Sequence, residues 1–173
     1  DIKNAIENYQ KSLNIKLKTE GNQHPETAYS YFLIGICYQD QDKYEKAIEY
    51  YLNAYKIQQK GGLPFRIAQC YEAISLESSA LQHYLESAEL RKNDSECGIN
   101  HFSTLEAAKN ALRLSKILSQ EELIPNWIKE LKEYNDKYLD KKLSPYFSIK
   151  LKRAVSLIDN NNSLKLMYSP LKV

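Results

Sequence analysis

The chain has 173 residues, of which 43% are hydrophobic and 27% are charged, and its formal net charge is +2. This composition supplies enough apolar side chains for a packed interior, and the charged fraction is ordinary for a soluble protein. No stretch approaches the roughly 18 consecutive apolar residues that would span a membrane, and three cysteines are too few and too odd in number for a disulfide framework.

Apolar side chains recur with helical spacing through the first 92 residues. The first predicted helix covers residues 2–18, and the next two cover 25–39 and 43–59. Pro25 falls in the first turn of its helix, where its missing N–H costs nothing. Gly61 and Gly62 end the third helix, and a shorter pair of helices is predicted at roughly 64–75 and 79–92.

Helical periodicity persists beyond the polar break at residues 93–99. Ser103 and Glu106 have the spacing of a capping box at the front of a helix over about 104–118. Pro125 opens another predicted helix that runs to about residue 142. Residues 144–159 are predicted to form a last amphipathic helix, whereas 163–173 are compatible with a strand, a linker or a disordered tail.

One pattern recurs along the chain. Its fullest copy consists of Tyr31, Ile34, Gly35 and Tyr38 on one predicted helix and Ala47, Tyr51 and Ala54 on the next. The spacing reproduces the tetratricopeptide repeat signature, with tyrosine in place of the first tryptophan and of the last phenylalanine. A second copy consists of Ile67, Ala68, Tyr71, Ala80 and Tyr84, and its small residues are separated by the same 12 positions. An upstream half copy consists of Ala5, Tyr9 and Ser12.

Over residues 1–92 the chain therefore resembles the tetratricopeptide repeat family. The connector that ends in His24 and Pro25 is similar to the linker of kinesin-light-chain-like repeats. Pro64 departs from the pattern, because it occupies the first aromatic position of the third unit. The resemblance implies an all-α solenoid of antiparallel helix hairpins, wound as a right-handed superhelix, and C-terminal helices would cap it.

The expected organisation follows from this pattern. A partial repeat at 1–20 precedes full repeats at 25–59 and 62–92. Residues 100–142 are expected to form a degenerate fourth hairpin, 144–159 a capping helix and 163–173 a tail or linker.

Catalysis and metal binding find no support in the sequence. His24, His83 and His101 lie far apart and lack a metal-ligand spacing, and neither a nucleophile elbow nor a phosphate-binding loop is present. Cys37 and Cys70 occupy equivalent places in their repeats, where a small buried side chain is expected. We expect no enzyme activity, no cofactor and no metal.

The resemblance implies that the first helix of each hairpin lines the concave inner face. The lining residues would be Tyr29, Phe32, Leu33, Ile36 and Gln39 in one repeat and Phe65, Arg66, Gln69 and Glu72 in the next. Some members of the family hold a terminal carboxylate with Lys, Asn and Arg, but Phe32 and Ile36 stand at those places. An aromatic floor beside Arg66 suits an extended or helical peptide better. The alternative is that Phe32, Ile36 and Phe65 pack against neighbouring repeats.

The expected function is that of a protein-interaction scaffold that binds a protein or peptide and no small-molecule substrate. A cytoplasmic location is expected because cysteines outside a disulfide framework suit a reducing compartment. The pattern begins at the second helix of a repeat, as in an excised fragment, so one alternative is a regulatory module of a larger enzyme or transcription regulator. Weak nucleic-acid contact is another, because residues 141–173 carry seven Lys and Arg against the single Asp159. A solvated basic end is the preferred interpretation.

Overall fold

In the computed structural model, residues 2–95, 97–99 and 101–130 are described. The chain divides into two compact units, residues 1–124 and 125–173. In the first unit the helices are α1 (Ile2–Thr19), α2 (Pro25–Gln39), α3 (Tyr44–Ile57), α4 (Gly62–Ala73), α5 (Glu77–Lys92) and α6 (Phe102–Ile117), followed by a short 3-10 helix (Glu121–Leu123). Every regular element of the described residues is helical, and all six helices lie within about two residues of their predicted positions.

Each helix of the first unit packs mainly against its neighbours in the chain, so α2 and α3 form one hairpin and α4 and α5 another. A buried cluster joins these two hairpins and consists of Ala47, Ile48, Tyr51, Ala54, Leu63, Ile67 and Cys70. Four residues of the repeat pattern belong to this cluster: Ala47, Tyr51, Ala54 and Ile67. Their burial removes apolar surface from water, which is the main favourable contribution to folding.

Gly35 lies where α2 and α3 pack closely against each other. A Cβ atom added at this position would lie 2.6 Å from two ring carbons of Tyr51, which is itself fully buried. A larger residue would therefore have to displace the aromatic ring. The glycine of the repeat pattern is explained by this contact.

The same turn ends α2, α4 and α6. In each case one residue with positive φ follows the helix, at Asp42, Ser75 and Ser119 (φ 55°, 59° and 54°). The next N–H then donates to a carbonyl five residues back; the pairs are Lys43 to Tyr38, Leu76 to Tyr71 and Gln120 to Ser115, at 3.0, 2.9 and 2.8 Å. These bonds satisfy carbonyl groups that the helix end leaves without partners. Since the turn recurs at offsets of 33 and 77 residues, α6 ends as the first helices of the two hairpins do.

The connectors before α2 and α6 are also alike. His24 Nδ1 accepts a hydrogen bond from the Glu26 N–H, and His101 Nδ1 accepts one from the Ser103 N–H, both at 3.2 Å. Three residues further on, Thr27 and Thr104 donate through Oγ1 to the carbonyls of Gly21 and Gly98, both at 2.8 Å. Both glycines have positive φ, 89° and 68°, a conformation that glycine adopts without steric cost.

The capping box predicted at Ser103 and Glu106 is wrong. The N-cap of α6 is His101, two residues earlier. Its imidazole, and not the Ser103 hydroxyl, accepts the hydrogen bond from a backbone N–H of the first turn. The Ser103 hydroxyl instead lies 2.7 Å from the same His101 Nδ1. A ring nitrogen can accept from the helix N–H groups as a serine oxygen does, provided that the proton sits on Nε2.

In the second unit, residues 126–130 are helical, and the Ile128 N–H donates to the Pro125 carbonyl at 3.0 Å. The remainder of the helix expected over 125–142, the capping helix at 144–159, the tail at 163–173 and the basic end lie outside the described residues. Among the described helices, none is both long and apolar enough to cross a membrane.

A candidate peptide-binding surface

An apolar strip runs along α2, formed by Tyr29, Phe32, Leu33 and Ile36. Tyr29 is 53% exposed, and the other three side chains are partly buried. The Phe32 ring lies 6.3 Å from the ring of Tyr29 and 5.9 Å from that of Tyr51, both in tilted arrangements. Because these residues follow helical spacing, the strip presents a continuous apolar surface anchored on the core through Phe32.

The Gln39 and Glu72 side chains are engaged within the molecule. The Tyr51 hydroxyl donates to Gln39 Oε1 at 2.7 Å, and the Tyr84 hydroxyl donates to Glu72 Oε2 at 3.1 Å. Burial raises the pKa of both tyrosines above the usual range, so both hydroxyls stay neutral donors at neutral pH. These bonds tie the two helices of each hairpin together, so neither Gln39 nor Glu72 is an open ligand group.

Glu72 has a second partner on α6. Arg113 Nη2 lies 2.6 Å from Glu72 Oε1, and both side chains are about one-third exposed. One carboxylate oxygen of Glu72 therefore links α4 to α5 through Tyr84, and the other links α4 to α6 through Arg113.

Phe65 lies inside the structure, with only 8% of its surface exposed. Its ring meets that of Tyr84 edge-on at 5.3 Å, and the Arg91 guanidinium lies 4.9 Å above its centroid. Both contacts are with α5 of the same hairpin, so Phe65 is buried within its own repeat and not against a neighbouring one. Beside it, Arg66 is exposed, whereas Gln69 is partly buried and its Oε1 has no hydrogen-bond partner among the described residues.

The sequence reasoning missed a contribution from α6. The offset of 77 residues that relates the α2 and α6 turns places Glu106, Lys109, Asn110 and Arg113 in the positions of Tyr29, Phe32, Leu33 and Ile36. The Arg113–Glu72 ion pair shows that this face of α6 adjoins α4. The recurrence of Gly, His and Thr at 21, 24 and 27 and at 98, 101 and 104 could have revealed the equivalence, since both triplets have the same spacing.

The described residues hold no cluster of three or more His, Cys, Asp or Glu side chains placed to bind a metal ion. Both small cysteines of the repeat pattern are buried, and burial raises the pKa of the Cys70 thiol to about 11. Cys70 is therefore protonated at neutral pH and packs as an apolar side chain.

A tetratricopeptide repeat family model matches residues 1–60. This segment is similar to tetratricopeptide repeats. The match includes α1, α2 and α3, the elements that carried the first copies of the repeat pattern, and it confirms the resemblance stated from the sequence.

Two solved structures have a similar fold. One is a crystal structure of nearly identical TPR-like repeats named as a candidate kinesin light chain of Podosopora anserina, with a TM-score of 0.63 at 18% identity. The other is a variant of the same repeats, with a TM-score of 0.61 and also 18% identity. Each alignment covers 90% of this chain and 78% of the other. At this identity the likeness concerns the fold, and it confirms the all-α repeat solenoid. No curated protein sequence matches the chain.

Proposed function

We propose that the chain is a non-catalytic scaffold that binds a peptide or a helix of a protein partner on the face formed by α2, α4 and α6. The repeat family and the similar structures support a protein-interaction role in general. The division into repeats at 1–20, 25–59 and 62–92, followed by a fourth hairpin at 100–142, belongs to the same proposal, as does a cytoplasmic location.

The exposed end of the α2 strip is the observation that carries the proposal. Tyr29 keeps 53% of its surface exposed although it lies directly beside Phe32 and the core. An aromatic side chain supplies a large contact area with few rotatable bonds, and such residues dominate the energetics of many interfaces. An amphipathic helix of a partner can lay its apolar face on a hydrophobic surface of this kind.

The test begins with a partner captured on the immobilised chain and identified by mass spectrometry. The affinity of the purified partner is then measured by calorimetry for the wild type, for Tyr29→Ala and for Tyr29→Ala combined with Phe32→Ala. The double variant is expected to bind at least about tenfold more weakly, which corresponds to about 1.4 kcal/mol. Circular dichroism should show that the helical content is retained.

The matched control is the pair Glu49→Ala and Lys56→Ala, two exposed residues of α3. This variant should bind the partner as the wild type does. If the α3 variant loses the partner and the α2 variant keeps it, the binding surface lies elsewhere and the proposal is wrong.

A further inference from the structure

The connector between α1 and α2 contains a ring nitrogen with two incompatible neighbours. His24 Nδ1 accepts a hydrogen bond from the Glu26 N–H at 3.2 Å, and Glu20 Oε2 lies 2.6 Å from the same nitrogen. The first contact requires an unprotonated Nδ1. The second is attractive only when Nδ1 carries a proton, because an ionised carboxylate can only accept. No single protonation state of His24 therefore satisfies both neighbours.

His101, at the front of α6, caps its helix in the same way but has a different second neighbour. Its Nδ1 lies 2.7 Å from the Ser103 hydroxyl, which can donate to a neutral ring and accept from a protonated one. Arg91 of α5 donates to the Ser103 carbonyl at 2.6 Å, and the Cys97 Sγ lies 4.0 Å from the Ser103 hydroxyl. None of the ion pairs among the described residues includes His101.

The charges around His24 are mainly negative. Glu20 lies on one side, and Glu26 of α2 lies on the other, where Lys16 of α1 pairs with its Oε2 at 2.7 Å. The hydrogen bond from Lys16 lowers the pKa of the Glu26 carboxyl, and the charge of His24 acts in the same direction. A protonated His24 thus has two carboxylates as neighbours, and its Nδ1 can donate to Glu20 in a charge-assisted hydrogen bond.

We propose that His24 is a helix cap operated by a proton. Neutral His24 caps α2 by accepting the Glu26 N–H, whereas protonated His24 releases that N–H and pairs with Glu20. The first turn of α2 then loses the acceptor of an N–H group that the helix start leaves without a backbone partner. Histidine ordinarily changes its charge between about pH 5 and pH 8, so the exchange takes place near neutral pH. The device requires no binding partner and is independent of the proposed function.

Nuclear magnetic resonance of the isotope-labelled chain tests this proposal. At about pH 8 the ring nitrogen shifts identify the tautomer, and we expect the proton of His24 on Nε2. As the pH is lowered to about 5, the amide proton signal of Glu26 should move upfield together with protonation of the ring, because the amide loses its acceptor. A proton on Nδ1 at the higher pH, or a Glu26 amide signal that does not follow the ring, would overturn the proposal.

Glu20→Gln separates the two contacts of His24. It leaves the cap in place and removes the charge with which protonated His24 pairs, so the midpoint of the Glu26 amide titration should fall by about 0.3 pH unit or more. Glu7→Gln is the matched control, since Glu7 is an exposed glutamate of α1. It removes the same formal charge and should leave the midpoint unchanged. Equal midpoints for Glu20→Gln and the wild type, or equal shifts by the two variants, would contradict the role of Glu20.

The other two histidines are internal controls. His83 Nδ1 lies 3.0 Å from Glu86 Oε2, so the opposite tautomer, with the proton on Nδ1, is expected there. At His101 protonation gives up the cap without forming an ion pair, so the Ser103 amide signal should move at a lower pH than that of Glu26. If the Ser103 amide moves first, the neighbouring carboxylate does not operate the cap of α2, and the proposal is wrong.

Discussion

The hairpins α2–α3 and α4–α5 share their internal contacts at an offset of 33 residues. A tyrosine of the second helix donates to a Gln or Glu of the first, Tyr51 to Gln39 in one hairpin and Tyr84 to Glu72 in the other. A stacked ring pair also recurs, as Tyr38 with Tyr50 at 5.3 Å and Tyr71 with His83 at 5.5 Å. We call the two tyrosine hydrogen bonds the tyrosine bridges. Although the acceptor residue types differ, both bridges join equivalent positions of their hairpins.

The faces that these hairpins present differ much more. The face of α2 is a partly exposed apolar strip that ends in Tyr29. On α4 the counterpart of the partly buried Phe32 is Phe65, which is buried under Arg91. Next to it, Arg66 is exposed where α2 has the partly buried Leu33. The contacts between two helices of a hairpin thus fix the backbone, and the remaining face is free to vary in polarity. This separation allows one repeat geometry to present surfaces of different polarity.

The largest expected effect comes from the helix crossing, where one hairpin has Gly35 and the other Ala68. Gly35→Leu should lower the free energy of unfolding by about 1–3 kcal/mol or more, because even a Cβ would lie 2.6 Å from the Tyr51 ring. Urea unfolding followed by circular dichroism measures the change. Glu49→Leu, at an exposed position of α3, should be nearly neutral. Equal midpoints for the two variants would contradict the close crossing.

The next effect separates the two tyrosine bridges. Tyr84→Phe removes a donor to a carboxylate, whereas Tyr51→Phe removes a donor to a neutral amide. Hydrogen bonds to charged groups contribute more, so we expect losses of about 1.5–3 kcal/mol for Tyr84→Phe and about 0.5–1.5 kcal/mol for Tyr51→Phe in urea unfolding.

Tyr44→Phe is the control for the bridges, because the Tyr44 hydroxyl donates to Asp42 at an exposed site. It should change the free energy of unfolding little. A larger loss for Tyr51→Phe than for Tyr84→Phe would contradict the expectation that the charge of the acceptor decides the strength of these hydrogen bonds.

The smallest effect concerns how the first helices begin. α2 has a histidine N-cap, whereas Gly61, which precedes α4, makes no side-chain cap. His24→Ala should therefore cost about 1 kcal/mol of unfolding free energy, and His101→Ala, at the front of α6, about the same. His24→Asn and His101→Asn should retain most of the stability, since asparagine is a good N-cap. If the asparagine variants are as unstable as the alanine variants, the histidines act through another contact.

The sequence by itself determined the helices and their pairing. Side chains that recur every three or four residues identify the buried face of a helix, and a recurring spacing between two such faces identifies a hairpin. For this reason the bounds of α2 and the closeness of Gly35 to α3 were predictable from the spacing of Tyr31, Ile34 and Tyr38. The resemblance to tetratricopeptide repeats followed from the same residues, and the family model matches residues 1–60.

Only the tertiary structure decided which side chains of the candidate surface stay open. The acceptor role of Glu72 depends on Tyr84, 12 residues away, and on Arg113, 41 residues away, and the burial of Phe65 depends on Arg91. Periodicity places a residue on a helix face, but it does not specify which long side chain from another helix will reach that face.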